Sequence, residues 1–171
     1  MQSVKIDRLL RVSILVLAIV FVYVIYAGIH ERVVVAGDSA PGFTITTDSG
    51  KTVSVPNFGG KILVLNFWAS WCPPCVEETP SMSRFASEYA GKGVVVLGVS
   101  VDKDEKAYRA FLQKFRPEFL TARELQTHED YGTFMYPETY IIDSNGKVLR
   151  KFAEEVDWLA PETTKYIDSI L

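Results

Sequence analysis

Cysteine and histidine are scarce in this chain. It has two of each, Cys72 and Cys75, His30 and His128. A single cysteine pair rules out the multiply bridged frameworks that staple small secreted folds. A zinc centre needs about four ligands, so it would consume every cysteine and histidine present. An excess of positive charge is also missing. Lys+Arg 18 against Asp+Glu 21 leaves a net charge of −3, with no basic field to hold nucleic acid. There are no repeats and no low-complexity segment. At 171 residues the chain suits one domain plus an extension. The hydrophobic fraction of 48% is ordinary in total but uneven along the chain.

The unevenness lies at the N-terminus, where Val12 to Ile29 carries no charge. Roughly 17–25 apolar residues suffice for a helix to cross a bilayer. Tyr23 and Tyr26 fit an interfacial anchor, and Lys5, Arg8 and Arg11 argue that the N-terminus stays in the cytoplasm. A cleaved signal peptide would have a shorter apolar core and small residues at the cut. Here Tyr26 and His30-Glu31-Arg32 stand in that place. The expected organisation is a cytoplasmic N-terminus (1–11), a single transmembrane anchor (12–29), a linker (30–40) and an extracytoplasmic domain (41–171).

The two cysteines stand as Trp71-Cys72-Pro73-Pro74-Cys75. The apolar run Lys61 to Trp68 before them reads as a buried strand. The stretch Val76 to Tyr89 after them reads as a helix, with Gly91 near its end. The cysteines therefore sit where a strand turns into the first turn of a helix. The free N–H groups and positive dipole end at that place favour thiolate. As a structural disulfide the pair would close a very small loop and remove little chain entropy. A redox dithiol is the expected reading.

Along the rest of the chain, Phe43–Thr47 and Thr52–Val55 read as a hairpin around the turn Asp48–Lys51. Gly93–Val101 is a second apolar run of the kind seen in buried parallel strands. Asp102–Phe115 has helical spacing and is ended by Pro117. Glu118–Gln126 is ambiguous, and Thr127–Tyr131 reads as a short helix capped by Thr127. Glu138–Asp143 and Lys147–Phe152 form a hairpin around Asn145-Gly146, and Pro161–Leu171 is a final helix. The expected fold class is α/β: a mixed central sheet with helices on both faces, an extra N-terminal β-hairpin, and one transmembrane helix in front.

The motifs Asn66-Phe-Trp-Ala-Ser-Trp-Cys-Pro-Pro-Cys75, Glu78-x-Pro80 and Tyr136-Pro-Glu-Thr-Tyr-Ile-Ile-Asp143 resemble the membrane-anchored, thioredoxin-like oxidoreductases of the ResA/CcmG(DsbE)/TlpA group. The resemblance runs from about Gly37 to the C-terminus. It implies a thioredoxin-like fold and an extracytoplasmic reductant of protein disulfides. The implied client is apocytochrome c, and the implied electron donor is a membrane reductase of the DsbD/CcdA type. No cofactor and no metal are expected. Cys72 corresponds to the nucleophile, Cys75 to the resolving thiol and Pro137 to a cis-proline beside the bound peptide. Trp71, Pro73, Pro74, Tyr136 and Glu138 complete the expected substrate-binding surface. Glu78 lies three residues after Cys75, on the same helix face, and matches the family's glutamate. Asn66 stands where ordinary thioredoxin keeps a buried aspartate. The plain alternative for Glu78 is a solvated surface charge, the reading given to its neighbour Glu77. Asp143 is read as the first residue of its turn, Trp68 as core, and His128 as a surface residue.

Two departures from the family pattern matter. With Cys72 as N-cap, Pro73 and Pro74 occupy N1 and N2. Pro74 has no N–H, so of the N2 and N3 amides only that of Cys75 can reach the Cys72 sulfur. A thiolate with less support means a more reducing disulfide. Tyr136 is bulkier than the small or aliphatic residue common before the cis-proline, which leaves the client open. Competing readings are a reductant or metal-delivery protein for a copper site in respiratory oxidase assembly, and a thiol peroxidase. Against the peroxidase, Ala69 stands three residues before Cys72, where those enzymes carry threonine.

Overall fold

The computed structural model describes the backbone of residues 2–30 and 33–171, and the side chains of residues 8, 10–26 and 33–171. The basic residue Lys5 and the segment His30–Arg32, on which expectations about topology and cleavage rested, lie outside the described side chains. Two compact units are present, residues 1–32 and Val33–Leu171.

In the first unit, helix α1 spans Gln2–His30. Among the described residues no helix is long and apolar enough to cross a membrane. The charge-free run continues past Tyr26, where side chains are not described.

The second unit is built on a five-stranded sheet in the order β5-β4-β3-β6-β7. Its strands are β3 (Ile62–Trp68), β4 (Val94–Ser100), β5 (Leu120–Arg123), β6 (Glu138–Asp143) and β7 (Val148–Phe152). β3, β4 and β5 run parallel, and β6 and β7 are antiparallel to their neighbours. β3 is the central strand and is buried along its whole length, which explains its near-continuous apolar sequence. Its side chains alternate between faces. Leu63, Leu65 and Phe67 meet Ile45 and Val53 of the separate hairpin β1 (Thr44–Thr46) and β2 (Thr52–Ser54), together with Tyr131 and Tyr140. Ile62 and Val64 face Met82, Phe85 and Tyr89 of α2 (Pro73–Ala90) and Ile167 of α5 (Pro161–Ile170). Helix α3 (Glu105–Phe115) closes the end of the sheet, where Tyr108 and Phe111 pack on Trp68.

Several expectations are adjusted. Residues 33–40 are more than a linker: Val34 is in the core, and Gly37 and Ala40 donate backbone hydrogen bonds to Val148 and Gly146. α3 starts at Glu105 because Asp104, not Asp102, is its N-cap; Asp102 is drawn into the cysteine loop. The ambiguous stretch contains β5, whose partner is the edge of β4. Such a short strand is specified by pairing and hardly by its own pattern. The short helix α4 (Thr127–Asp130) lacks a Thr127 cap; the Glu124 carboxylate accepts from the Gln126 and Thr127 amides instead. Gly91 ends α2 in a right-handed conformation, and the left-handed turn falls at Gly93, φ +92°. Pro80 lies inside α2 without ending it.

Candidate active site

Cys72 is the N-cap of α2, with φ −96° and ψ 105°, and Pro73 and Pro74 fill the first two helical positions. The Cys72 sulfur accepts one amide hydrogen bond, from Cys75 at 3.3 Å. That is the donor count expected once two consecutive prolines remove their N–H groups. Cys72 and Cys75 are joined as a disulfide, Cα to Cα 5.3 Å. Both are nearly covered, at 4% and 3% exposure.

The cover is aromatic. Trp71 is 64% exposed, and its ring meets that of Tyr136 edge-on at 5.9 Å. The Tyr136–Pro137 peptide bond is cis, as is Val55–Pro56, which the sequence did not suggest. The Tyr136 carbonyl oxygen lies 3.3 Å from Cys72 Sγ. In the disulfide this is a contact; a reduced Cys72 can donate its S–H to it. The residues before Tyr136, Phe134 and Met135, are exposed. The His128 ring is half-buried beside Tyr136, centroids 6.1 Å apart, and its Nδ1 has no partner. His128 is thus not simply a surface residue.

Beneath the loop, Asp102 is the support that the sequence reading missed. Its buried carboxylate accepts from the Ser70 amide (2.9 Å), the Ser70 hydroxyl (2.8 Å) and the Ser100 hydroxyl (2.7 Å). These bonds tie the turn before Cys72 to the end of β4. A polar residue just past a buried strand, beside the strand that ends in the cysteine loop, was the available signal. Trp68 packs on Phe111 at 4.4 Å, as core. Asn66 is buried and donates to Thr139 Oγ1 at 2.8 Å.

Glu78 is not a solvated charge. It is 2% exposed. Its Oε1 accepts from the indole N–H of Trp158, while Oε2 is buried with no partner among the described residues. Burial pushes its pKa up to about 8. The indole bond opposes the rise, and the negative charge of Glu155 adds to it. Glu77 is exposed, as expected. Glu138, expected on the substrate surface, is buried and engaged elsewhere. It pairs with Lys151 at 2.6 Å and accepts from the Tyr140 hydroxyl at 2.9 Å. The structure thus gathers Trp71, Cys72, Cys75, Tyr136 and Pro137 into one place, with Glu78 one helical turn below Cys75.

A redox cysteine pair at a helix N-terminus, faced by a cis-proline loop, is a thiol–disulfide exchange centre. Residues 36–151 match the model of the AhpC/TSA family. The chain belongs to the AhpC/TSA family. The chain is 39% identical to the "Thioredoxin-like protein YneN" of Bacillus subtilis over 115 residues, 66% of this chain and 68% of the relative. It is 33% identical to the "Thiol-disulfide oxidoreductase ResA" of Geobacillus thermodenitrificans over 141 residues, 80% of this chain and 81% of the relative. Among solved structures, one from Chlorobium tepidum ascribed to the thiol:disulfide interchange protein DsbE superposes with a TM-score of 0.66. It has 31% identity and covers 79% of this chain and 94% of that one. This AhpC/TSA member is a thioredoxin-like thiol–disulfide oxidoreductase of the ResA/DsbE type, with Cys72 and Cys75 as its redox pair.

Proposed function

We propose that the protein is a membrane-anchored, extracytoplasmic reductant of protein disulfides, with apocytochrome c as its client and a DsbD/CcdA-type membrane reductase as its electron source. The observation that carries the reductive direction is the single amide supporting the Cys72 sulfur. Fewer donors stabilise the thiolate less, which makes the disulfide harder to reduce and the dithiol a better reductant. The anchor reading rests on the charge-free run Val12–Ile29. The large apolar side chains described in α1, from Leu10 to Tyr26, are exposed. A helix apolar on every side belongs in a core or in lipid.

The reaction begins with the Cys72 thiolate attacking a client disulfide. A Cys72–client bond forms, the client S–S bond breaks, and the departing client thiolate takes a proton from solvent. Cys75 then gives its proton to the Glu78 carboxylate and attacks the Cys72 sulfur. This forms the Cys72–Cys75 disulfide and releases the second client thiolate. Two electrons have moved from the dithiol to the client, and the donor restores the dithiol. Trp71 and Tyr136 form the apolar surface against which the client segment lies. A thiol peroxidase would need a hydroxyl near the attacking sulfur; Ala69, three residues earlier, is fully buried and has none.

The test is the reduction potential of Val33–Leu171, measured by equilibration with dithiothreitol or glutathione. A value near or below about −270 mV supports the reductant. A value near −120 mV, that of a strong oxidant, overturns it. Reduction of a disulfide-bonded apocytochrome c peptide, set against a copper-site peptide, decides the client.

A further inference from the structure

Trp158 belongs to the loop between β7 and α5, 80 residues from Glu78 in sequence, yet its indole N–H holds one oxygen of that buried carboxyl. The loop is held in place from α2. Ser81 Oγ accepts from the Trp158 amide at 3.3 Å, and the Trp158 ring packs against Phe85 and Phe152. With Oε1 occupied, the rotation of the carboxyl is fixed. Oε2 is the oxygen left without a hydrogen bond, buried and with no partner among the described residues.

Beside this carboxyl lies a cleft of about 450 Å³, lined on one side by Glu77, Glu78, Ser81 and Arg84 of α2 and on the other by Glu155 and Asp157. Neither cysteine, nor Trp71, nor Tyr136 borders it. A client lying against Trp71 and Tyr136 therefore leaves the cleft open to water. The charged groups that line the cleft with Glu78 are Glu77 and Arg84 from its own helix and Glu155 and Asp157 from the loop. Cys75 lies three residues earlier, one helical turn away.

We propose that Trp158 is a positioning residue for the exchange reaction: it clamps Glu78 Oε1 so that Oε2 receives the Cys75 proton, which then leaves through the cleft beside Glu155. This rests on the assignment of Glu78 as proton acceptor. The Cys75 S–H bond breaks, an O–H bond forms at Oε2, and the proton passes to water in the cleft, with no oxidant or reductant beyond the dithiol and the client. The two neighbours act with opposite signs. The indole bond stabilises the charged carboxylate, and Glu155 destabilises it.

The test uses the full-length protein in detergent, with carbon-13 glutamate, in the oxidised form so that no thiol titrates. The Glu78 carboxyl signal is identified by its loss in E78Q. W158F is expected to raise its titration midpoint by about one pH unit, and E155Q to lower it by about half a unit. In the reduced protein, the pH profile of mixed-disulfide resolution should move in the same directions. Unmoved midpoints in both variants overturn the proposal. E155Q alters an exposed side chain, so it decides the matter if W158F does not fold: an unmoved midpoint in E155Q overturns it. If both midpoints shift but E78Q resolves mixed disulfides at the wild-type rate and pH profile, the acceptor role of Glu78 fails and the proposal falls with it. If E78Q slows resolution while the other variants leave the midpoint alone, the function stands and only the positioning role is lost.

Discussion

Glu78 and Glu138 are two buried carboxylates in one small domain, and their surroundings differ. Glu138 faces a lysine ammonium and a tyrosine hydroxyl, and is fully answered. Among the described residues, Glu78 has one indole N–H for two oxygens and no cation in partnership. A buried carboxylate answered in this way holds structure together. A half-answered one is driven towards its protonated form, so that it can take up and release a proton near neutral pH. Burial alone therefore does not mark a reactive carboxyl; burial with an unmatched oxygen beside a thiol does.

The largest expected effect tests the Glu78 side of that contrast. Its folded pKa, about 8, stands above the ordinary 4.5, so the folded state holds a proton that the unfolded chain has released. This contribution is fully present below pH 4.5 and is lost as pH rises towards 8. The wild-type oxidised protein should lose at most about 5 kcal/mol over that window. Urea denaturation across the pH range should show this slope in wild type and in E77Q, whose carboxylate is exposed, but not in E78Q. An equal slope in E78Q would mean that Glu78 titrates normally.

The Glu138 side should respond in the opposite way. Lys151→Met strands a buried charge and should cost about 3 kcal/mol. Adding Glu138→Gln should restore most of the loss, because the pair then disappears together. If the double variant is no better than the single one, the two residues do not act as a pair. Asp102 is a third case, answered by hydroxyls and an amide. Asp102→Asn keeps one acceptor oxygen but turns the other into a donor, so the three bonds cannot all persist, and it should cost about 2 kcal/mol. It should also increase thermolysin cleavage near Ser70, read by mass spectrometry. Unchanged stability and cleavage would remove Asp102 from the support of the cysteine loop.

Much of this arrangement was legible in sequence because it is local. Two prolines between the cysteines dictate the cap and its lone donor, whatever packs around them. The apolar runs marked β3 and β4, and Asn145-Gly146 marked the second hairpin. β5 was not legible, because four residues paired to a strand edge carry little pattern of their own. Glu138 was misjudged because its neighbour Pro137 borders the site while its own side chain pairs with Lys151 across the sheet.

By itself the sequence determined the redox pair, its place at a helix start, the order of strands and helices other than β5, and the family. These depend on residues within a turn of one another and on the period of apolar side chains. Only the tertiary structure decided the state of the carboxylates. Glu78 and Trp158 are 80 residues apart, and Ser70 and Asp102 are 32 apart. Desolvation and hydrogen-bond partners come from packing across such distances, and the pKa of a buried acid depends on them more than on its neighbours along the chain.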